Sequence, residues 1–324
     1  QTAGAAEVEL QVMPSPPPTA PAQTKLIERW AKALEEQSGG RIAVTIYPAM
    51  QLGGKPPQLI DQVRDGIVDV VWTLPGYTPG RFPLMSVFEL PWMVSDAEAT
   101  SQAVQEYYET YATEEFAEVH PLLFHVHDRG VVHLNGRQVM ALEDFQGLKL
   151  RAPTRPIGDA LAAFGAETIF MPVPQMPEAI SKSVIDGAVV PWEVTLPLKL
   201  AELTDFHAEI EGPRGLYTSV FLFAMNKATY DALPDDLKAV VDANSGMNIA
   251  ADVGRAWDAA EEPGRQAALD RGNTIVTLPE AEVEKMKAAS QPVIDAWIAE
   301  ITAAGHDGAA LYQAAQDLVE TYGQ

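Results

Sequence analysis

Arg151 follows an apolar run at a point where an arginine could bind an acid. In DFQGLKLRAPT (144–154), Leu148 and Leu150 lead into Arg151, and Ala-Pro-Thr then ends the predicted strand. A guanidinium presents parallel N–H donors that fit the two oxygens of a carboxylate, which a lysine cannot copy. Open α/β sheets bind ligands at the carboxyl ends of their strands. We therefore predict that Arg151 binds a carboxylate; the alternative is a surface ion pair with one of the many acidic residues.

Other residues whose types could support chemistry form weaker patterns. His125 and His127 share one face of a strand, which is metal-like spacing, but no third ligand is near. Asp186 and Glu193 could form a carboxylate pair, although a helix-end charge and a loop acid explain them more simply. The chain contains no GxSxG, no GxGxxG after a strand, no Walker loop and no HExxH. We expect no catalysis and no cofactor. If the protein were an enzyme, Arg151, Asp186 and Glu193 would be its best candidates for catalytic residues.

The composition narrows the classes of partner. The 324 residues allow two domains, and 47% hydrophobic residues support a real core. The formal net charge of -23 makes nucleic acid and anionic membranes poor partners, so any anion site must be built locally from a few arginines. There is no cysteine, which excludes disulfides and thiolate chemistry. No stretch of about 18 apolar residues could span a membrane. Because the chain starts at Gln1, we expect a processed protein whose secretory signal was removed.

Strands and helices alternate along both halves of the chain, which predicts two α/β units in series. Several short apolar runs read as strands, and the segments between them show helical periodicity. From Asp235 to the end the pattern is almost entirely helical. The predicted strands are 9–13, 41–47, 68–72, 122–127, 131–134, 148–151, 188–191 and 219–225.

Four segments occur in one order: SGGRIAVTIYPAMQLGG (38–54), DGIVDVVWTLPGYTPGRFPL (65–84), EDFQGLKLRAP (143–153) and SKSVIDGAVVPWE (181–193). As a set they resemble the solute-binding proteins of TRAP transporters, over about residues 8–245. The resemblance implies a periplasmic-binding-protein-like α/β fold with a ligand cleft between two domains and long C-terminal helices. We expect domain I to comprise 1–126 and 214–252, and domain II 127–213 and 253–324, with several crossings. The resemblance also implies a periplasmic protein that delivers a carboxylate to a membrane permease, and we expect this protein to be a monomer.

The resemblance also assigns positions in the site. Arg151 matches the family arginine that forms a two-pronged salt bridge with the ligand carboxylate. Arg129, in HDRG (127–130), matches a second arginine found in many members. Thr154 occupies a position that often carries a polar ligand contact, and Met176 falls where some members place an aromatic residue. Some relatives that bind oxo acids hold a cation, and here Glu193 with Gln175 could help; we expect no metal.

Two departures from the family pattern concern the class of solute. Val190 stands where many members carry an asparagine that touches the carboxylate, and Leu74 stands where sialic-acid binders carry an acid. Both changes replace polar contacts by apolar ones, which disfavours polyols because their hydroxyls would stay unpaired. Trp72, Tyr77 and Trp192 offer flat surfaces for stacking, although Trp72 could equally belong to the core. We therefore expect a small aromatic carboxylate, such as benzoate, mandelate or an aryl 2-oxo acid; a branched aliphatic 2-oxo or hydroxy acid is the alternative.

Overall fold

The chain forms two separate β-sheets. The computed structural model describes residues 4–324. Its strands, numbered along the chain, are β1 (Val8–Pro14), β2 (Ile42–Ile46), β3 (Val70–Thr73), β4 (Val119–Val126), β5 (Val131–Leu134), β6 (Lys149–Ala152), β7 (Glu167–Phe170), β8 (Gly187–Val190), β9 (Phe206–Glu209), β10 (Val220–Asn226) and β11 (Thr274–Thr277).

Helices cover both sheets and dominate the C-terminal part. They are α1 (Glu28–Gln37), α2 (Leu59–Arg64), α3 (Ala97–Tyr107), α4 (Arg155–Ala163), α5 (Met176–Ser181), α6 (Trp192–Thr195), α7 (Lys227–Asp231), α8 (Asp235–Ala243), α9 (Met247–Asp270), α10 (Glu280–Ala303) and α11 (Gly308–Tyr322). None of the helices within residues 4–324 has the length and apolar character that crossing a bilayer requires.

The first sheet has the strand order β2-β1-β3-β10-β4. β1 runs parallel to β2 and β3, whereas β10 runs antiparallel to β3 and β4. All seven residues of β10 are buried, as expected for a continuous apolar strand that is covered on both faces. The apolar side chains of this sheet form the two largest hydrophobic clusters of the described residues.

The second sheet has the order β11-β9-β5-β8-β6-β7. β6 runs parallel to both β7 and β8, and Arg151 is level with Ile169 of β7 and Ala188 of β8. β6 and β8 therefore end at the same edge of the sheet, at Ala152 and Val190. This edge faces the first sheet, so the strand ends that carry Arg151 and Val190 lie between the two domains.

The chain crosses between the sheets three times: from β4 to β5, from β9 back to β10, and through the long helix α9 to β11. α9 packs against α3 on the first sheet and α6 beside the second. α10 packs on α4, whereas α11 returns to α3. The strands of the first sheet all fall within the segments predicted for domain I, 1–126 and 214–252. The strands of the second sheet all fall within those predicted for domain II, 127–213 and 253–324. The division of the C-terminal helices between the domains stays a prediction, because α9 and α11 contact the first domain.

Three strands were not predicted from the sequence: β7, β9 and β11. β11 also interrupts the region after Asp235 that the pattern predicts as almost entirely helical. These strands have four residues each, and β7 and β11 are largely exposed at the edges of the second sheet. β11 pairs in parallel with β9. Its Thr-Ile-Val-Thr sequence is rich in β-branched residues, a signal that its short length and helical neighbours concealed.

Candidate ligand-binding site

A cavity lies between the two domains and is closed off from most of the solvent. All of its lining residues except Val173 are buried. Trp72 and Leu74 come from the end of β3, Arg151 and Val190 from the ends of β6 and β8. The cleft is closed by contacts across it, since the backbone N–H of Val173 in the second domain donates to the Tyr77 hydroxyl at 3.3 Å.

Arg151 supplies a buried positive charge to this cavity. Its side chain is 1% exposed. Nε donates to the carbonyl oxygen of Met171 at 2.8 Å, and Nη1 donates to that of Val189 at 3.1 Å. Nη2 is buried and has no hydrogen-bond partner. Burial lowers the pKa of Arg151, but a guanidinium remains charged at physiological pH. The backbone therefore fixes the guanidinium plane and leaves donor capacity unused.

No carboxylate among residues 4–324 neutralises that charge. The groups that favour the charged form of Arg151 are the hydroxyls of Tyr77 and Tyr217. An uncompensated charge in a desolvated site is strongly unfavourable, typically by about 3–5 kcal/mol when a partner is missing. The arrangement can bind an anion that enters the cavity and completes the ion pair.

Two tyrosine hydroxyls extend the donor set. Tyr217 is buried, and its hydroxyl has no hydrogen-bond partner. The Tyr77 hydroxyl accepts one hydrogen bond from Val173, which leaves its own hydrogen free. Burial raises the pKa of both phenols, so both stay protonated and can donate. Together with Nη2 of Arg151 they supply three unused donors to one cavity, which suits the lone pairs of a carboxylate.

Glycine at position 130 makes room for Tyr217. The backbone N–H of Gly130 donates to the carbonyl oxygen of Tyr217 at 3.0 Å, which joins the two crossing segments. A β-carbon at Gly130 would lie 1.8 Å from the Tyr217 ring, so only glycine permits this approach. The position of the tyrosine is therefore set by the segments that connect the domains.

His125 in β4 and His127 directly after β4 are structural side chains in this fold. His127 accepts a hydrogen bond from the backbone N–H of Ser219 at 3.0 Å through Nε2, and Nδ1 contacts the carbonyl of Asp128. His125 accepts from the indole N–H of Trp72 at 2.9 Å. Burial lowers the pKa of both histidines to about 3, so they are neutral. No group of three potential metal ligands exists within the described part of the chain.

The rest of the wall is mainly aromatic and aliphatic. The rings of Trp72 and Phe221 are tilted by 40° with centroids 4.6 Å apart. Leu74, Val190 and Trp257 complete this surface. A flat apolar group bound to a carboxylate could pack here while its carboxylate contacts Arg151.

The structure brings five of the predicted residues to the cavity: Arg151, Tyr77, Leu74, Val190 and Trp72. Trp72 belongs both to the core and to the lining, because it packs in the hydrophobic cluster of the first sheet as well. Their contacts with a ligand remain predictions.

Arg129 and Trp192 lie elsewhere, in a separate groove that they share at the domain boundary. Nε of Arg129 donates to the carbonyl oxygen of Ser95 at 2.7 Å. The indole N–H of Trp192 donates to Glu209 at 2.9 Å, and its ring packs against His133 and His207. A ligand contact by either residue stays a prediction.

Thr154 and Met176 are buried but do not line the cavity. Thr154 follows β6, and its Oγ1 has no hydrogen-bond partner although Glu89 lies close by. Its methyl group packs closely against Gly76 across the cleft. Met176 begins α5 and packs in the apolar cluster that also contains Val190. Direct contact of these two side chains with a ligand likewise stays a prediction.

Sequence reasoning missed Tyr217, Phe221 and Trp257 as cavity residues. Phe221 lies in a strand that was predicted, but the face it presents depends on the antiparallel pairing with β3 and β4. Tyr217 precedes that strand in a crossing segment, and Trp257 lies on the crossing helix α9. Their only sequence signal was their large aromatic side chains, which are equally common in cores.

A two-domain cleft that closes on a lone buried cation defines a solute-binding protein. The family model described as bacterial extracellular solute-binding protein, family 7, matches residues 15–300. The chain belongs to this family and is a TRAP transporter solute-binding protein. Members of this family serve transport, and the structural relatives described below are themselves solute-binding proteins.

Solved structures of three relatives are closely similar. A TRAP solute-binding protein of an unidentified marine metagenome microbe, specific for aromatic acid ligands and solved with 3-hydroxybenzoate, is 47% identical. Its TM-score is 0.96, with 98% of this chain and 100% of that chain covered. A protein from Rhodoferax ferrireducens T118 with copurified benzoate is 43% identical, with a TM-score of 0.95 and coverages of 97% and 98%. One from Bordetella bronchiseptica with bound (R)- and (S)-mandelate is 28% identical, with a TM-score of 0.89 and coverages of 97% and 99%.

Proposed function

We propose that this protein captures a small aromatic carboxylate and delivers it, unchanged, to a TRAP permease. The observation that carries the proposal is the buried Arg151, whose Nη2 has no partner and whose charge meets no carboxylate within residues 4–324. The free hydroxyl of Tyr217 and the free hydrogen of Tyr77 add donors for the same anion. The ligand carboxylate supplies the missing counter-charge.

The apolar wall supports an aromatic body for the ligand. Trp72, Phe221 and Trp257 line the cavity together with the aliphatic side chains of Leu74 and Val190. Aromatic contacts favour a ring by about 0.5–1.5 kcal/mol beyond area burial. The relatives that are 47%, 43% and 28% identical were solved with 3-hydroxybenzoate, benzoate and mandelate, which agrees with this assignment.

Location and assembly are further parts of the proposal. The protein acts in the periplasm as a monomer, where it closes on the solute and then docks to the membrane subunits of the transporter. The family model, which describes extracellular solute-binding proteins, supports the location. Light scattering during size-exclusion chromatography measures the mass directly, and a mass near 35.1 kDa is expected.

Thermal unfolding with a panel of acids tests the proposed solute class. We expect benzoate to raise the melting temperature most, a branched 2-oxo acid such as 3-methyl-2-oxobutanoate to raise it less, and glucuronate to leave it unchanged. A ligand that binds only the folded state stabilises it by about 2.7 kcal/mol at a hundredfold excess over its Kd.

The same samples test for catalysis. Chromatography of the acid after incubation should recover it unchanged. The largest stabilisation by glucuronate would refute the aromatic assignment, and conversion of the acid would refute a role confined to transport.

A further inference from the structure

The cavity also contains a carboxyl, that of Glu193, which Arg151 does not neutralise. Glu193 is 7% exposed and lines the same cavity. None of the ion pairs among residues 4–324 involves Glu193, so no lysine, arginine or histidine nitrogen there lies within 4.0 Å of its carboxyl oxygens. Arg151 and Glu193 thus line one cavity without pairing. A ligand that contacts both must carry two polar groups, one that binds Arg151 and one that binds Glu193.

Glu193 does not serve to cap its own helix. The backbone N–H groups of Trp192 and Glu193, at the start of α6, both donate to the carboxylate of Glu261, at 3.0 and 3.2 Å. The Glu193 side chain is therefore free of that role. It lies next to the indole of Trp257, which is 1% exposed and whose Nε1 has no hydrogen-bond partner.

Burial raises the pKa of the Glu193 carboxyl to about 8, with the nearby indole of Trp257 acting in the opposite direction. At neutral pH the group is a carboxylic acid that can both donate and accept a hydrogen bond. The Trp257 indole adds a second donor. A plain benzoate ring would leave the buried Nε1 of Trp257 without a partner, and sites built around a ligand hydroxyl discriminate strongly against analogues that lack it.

We propose that Glu193 and Trp257 bind a hydroxyl group on the ring or side chain of the aromatic acid, so that the preferred solute is a hydroxylated aromatic carboxylate. This inference rests on the proposed function, because Arg151 must hold the carboxylate at the other polar place. Glu193 then acts as a specificity-determining residue, whereas Arg151 confers binding of acids in general.

Glu193 also borders an outer groove that contains Lys25, Arg29 and Lys199. If its carboxyl served only that groove, its replacement would leave the preference among solutes unchanged. The experiment therefore measures a ratio of affinities between two ligands rather than a single affinity.

Calorimetric titration with benzoate, 3-hydroxybenzoate and 4-hydroxybenzoate provides this ratio. We expect the parent protein to bind at least one hydroxybenzoate about tenfold or more tightly than benzoate, a preference of the size that buried hydrogen bonds produce. Glu193→Leu should reduce the ratio to near one. Glu193→Gln should keep part of it, because an amide still donates and accepts. Glu202→Gln, at an exposed position close in sequence, is the matched control and should keep the parent ratio.

The outcomes separate this inference from the proposed function. Failure of all three acids to bind the parent protein would overturn the proposed function. Binding of the acids without a preference for a hydroxyl, or a preference that persists in Glu193→Leu, would overturn only the role of Glu193. If Glu193→Leu does not fold, the parent ratio and the Glu193→Gln variant decide, since no preference in the parent, or an undiminished one in Glu193→Gln, refutes the inference.

Discussion

Unused hydrogen-bonding capacity around one buried cation determines what this cleft can hold. Two backbone carbonyls fix the Arg151 guanidinium, and Nη2 is left without a partner. A lysine could not be held in this way while offering further directed donors. The Tyr217 hydroxyl is also buried and unpaired. Such groups are costly in a folded protein unless a ligand satisfies them, so they identify the binding function more directly than the apolar wall does.

Replacing Tyr217 by phenylalanine tests the role of its hydroxyl. The change removes one donor and keeps the ring that packs over Gly130. A hydrogen bond to a charged group contributes about 1.5–3 kcal/mol, so we expect Tyr217→Phe to weaken benzoate binding about tenfold or more. Calorimetry gives the affinity. Tyr111→Phe, which alters an exposed tyrosine, is the control. Equal affinities for Tyr217→Phe and the parent would show that this hydroxyl does not contact the carboxylate.

Arg151 could be predicted from the sequence because a strand end, a proline and an arginine are adjacent in the chain. Leu74 and Val190 were assigned from their places in the family pattern, where each replaces a polar residue by an apolar one. Tyr217 and Trp257 could not be predicted, because their places depend on the crossing of segments that are far apart in sequence. Glu193 was recognised as an acid in the sequence, but its burial follows only from the packing of α6 and α9.

At the scale of elements, the buried strands were predictable and the edge strands were not. β3 and β10 have continuous apolar runs that only a strand covered on both faces explains. β7 and β11 are short, lie at sheet edges and carry exposed residues, so their patterns resemble loops. Pairing with a neighbour fixes them as strands, which is a tertiary effect. Neither strand contributes to the cavity, and the site was therefore easier to predict than the complete sheet.

The three crossings between the domains also position the site. Tyr217 and His127 lie on the two extended crossing segments, and Trp257 lies on the crossing helix α9. The same elements therefore connect the domains and line the cavity between them.

At the scale of the whole molecule, buried carboxyls and buried histidines change the stability of the folded state with pH in opposite directions. Burial raises the pKa of Glu89, Glu115 and Asp258 to about 7 and that of Glu193 to about 8. In the unfolded chain these groups titrate near 4. The folded state therefore binds more protons than the unfolded state between about pH 4 and 8, so this contribution to stability is full below about pH 4 and is lost progressively as the pH rises to 8.

The buried histidines act in the other direction. Burial lowers the pKa of His125, His127 and His133 to about 3 and that of His207 to about 4. In the unfolded chain a histidine titrates near 6.5, so the folded state binds fewer protons below that pH. Stability from these groups is present above about pH 6.5 and is lost as the pH falls toward 3–4.

We therefore expect the free energy of unfolding of the ligand-free protein to be largest between about pH 5 and 6.5. Urea unfolding at pH 4, 6 and 8 measures it. Glu89→Gln should reduce the loss between pH 6 and 8, because a glutamine does not titrate, whereas the exposed Glu36→Gln should not. A free energy of unfolding that rises from pH 6 to 8 would contradict the assignment of these carboxyls.

The most direct test of the account is calorimetric titration of benzoate into the parent protein and Arg151→Lys. Lysine keeps the positive charge and loses the fork of parallel donors, and disturbing a buried, hydrogen-bonded charge pair costs about 2–5 kcal/mol. Arg155→Lys, four residues along and exposed, is the matched control. We predict a loss of affinity of about thirtyfold or more for Arg151→Lys and none for Arg155→Lys. Binding of benzoate by Arg151→Lys within twofold of the parent would contradict the claim that this guanidinium holds the carboxylate.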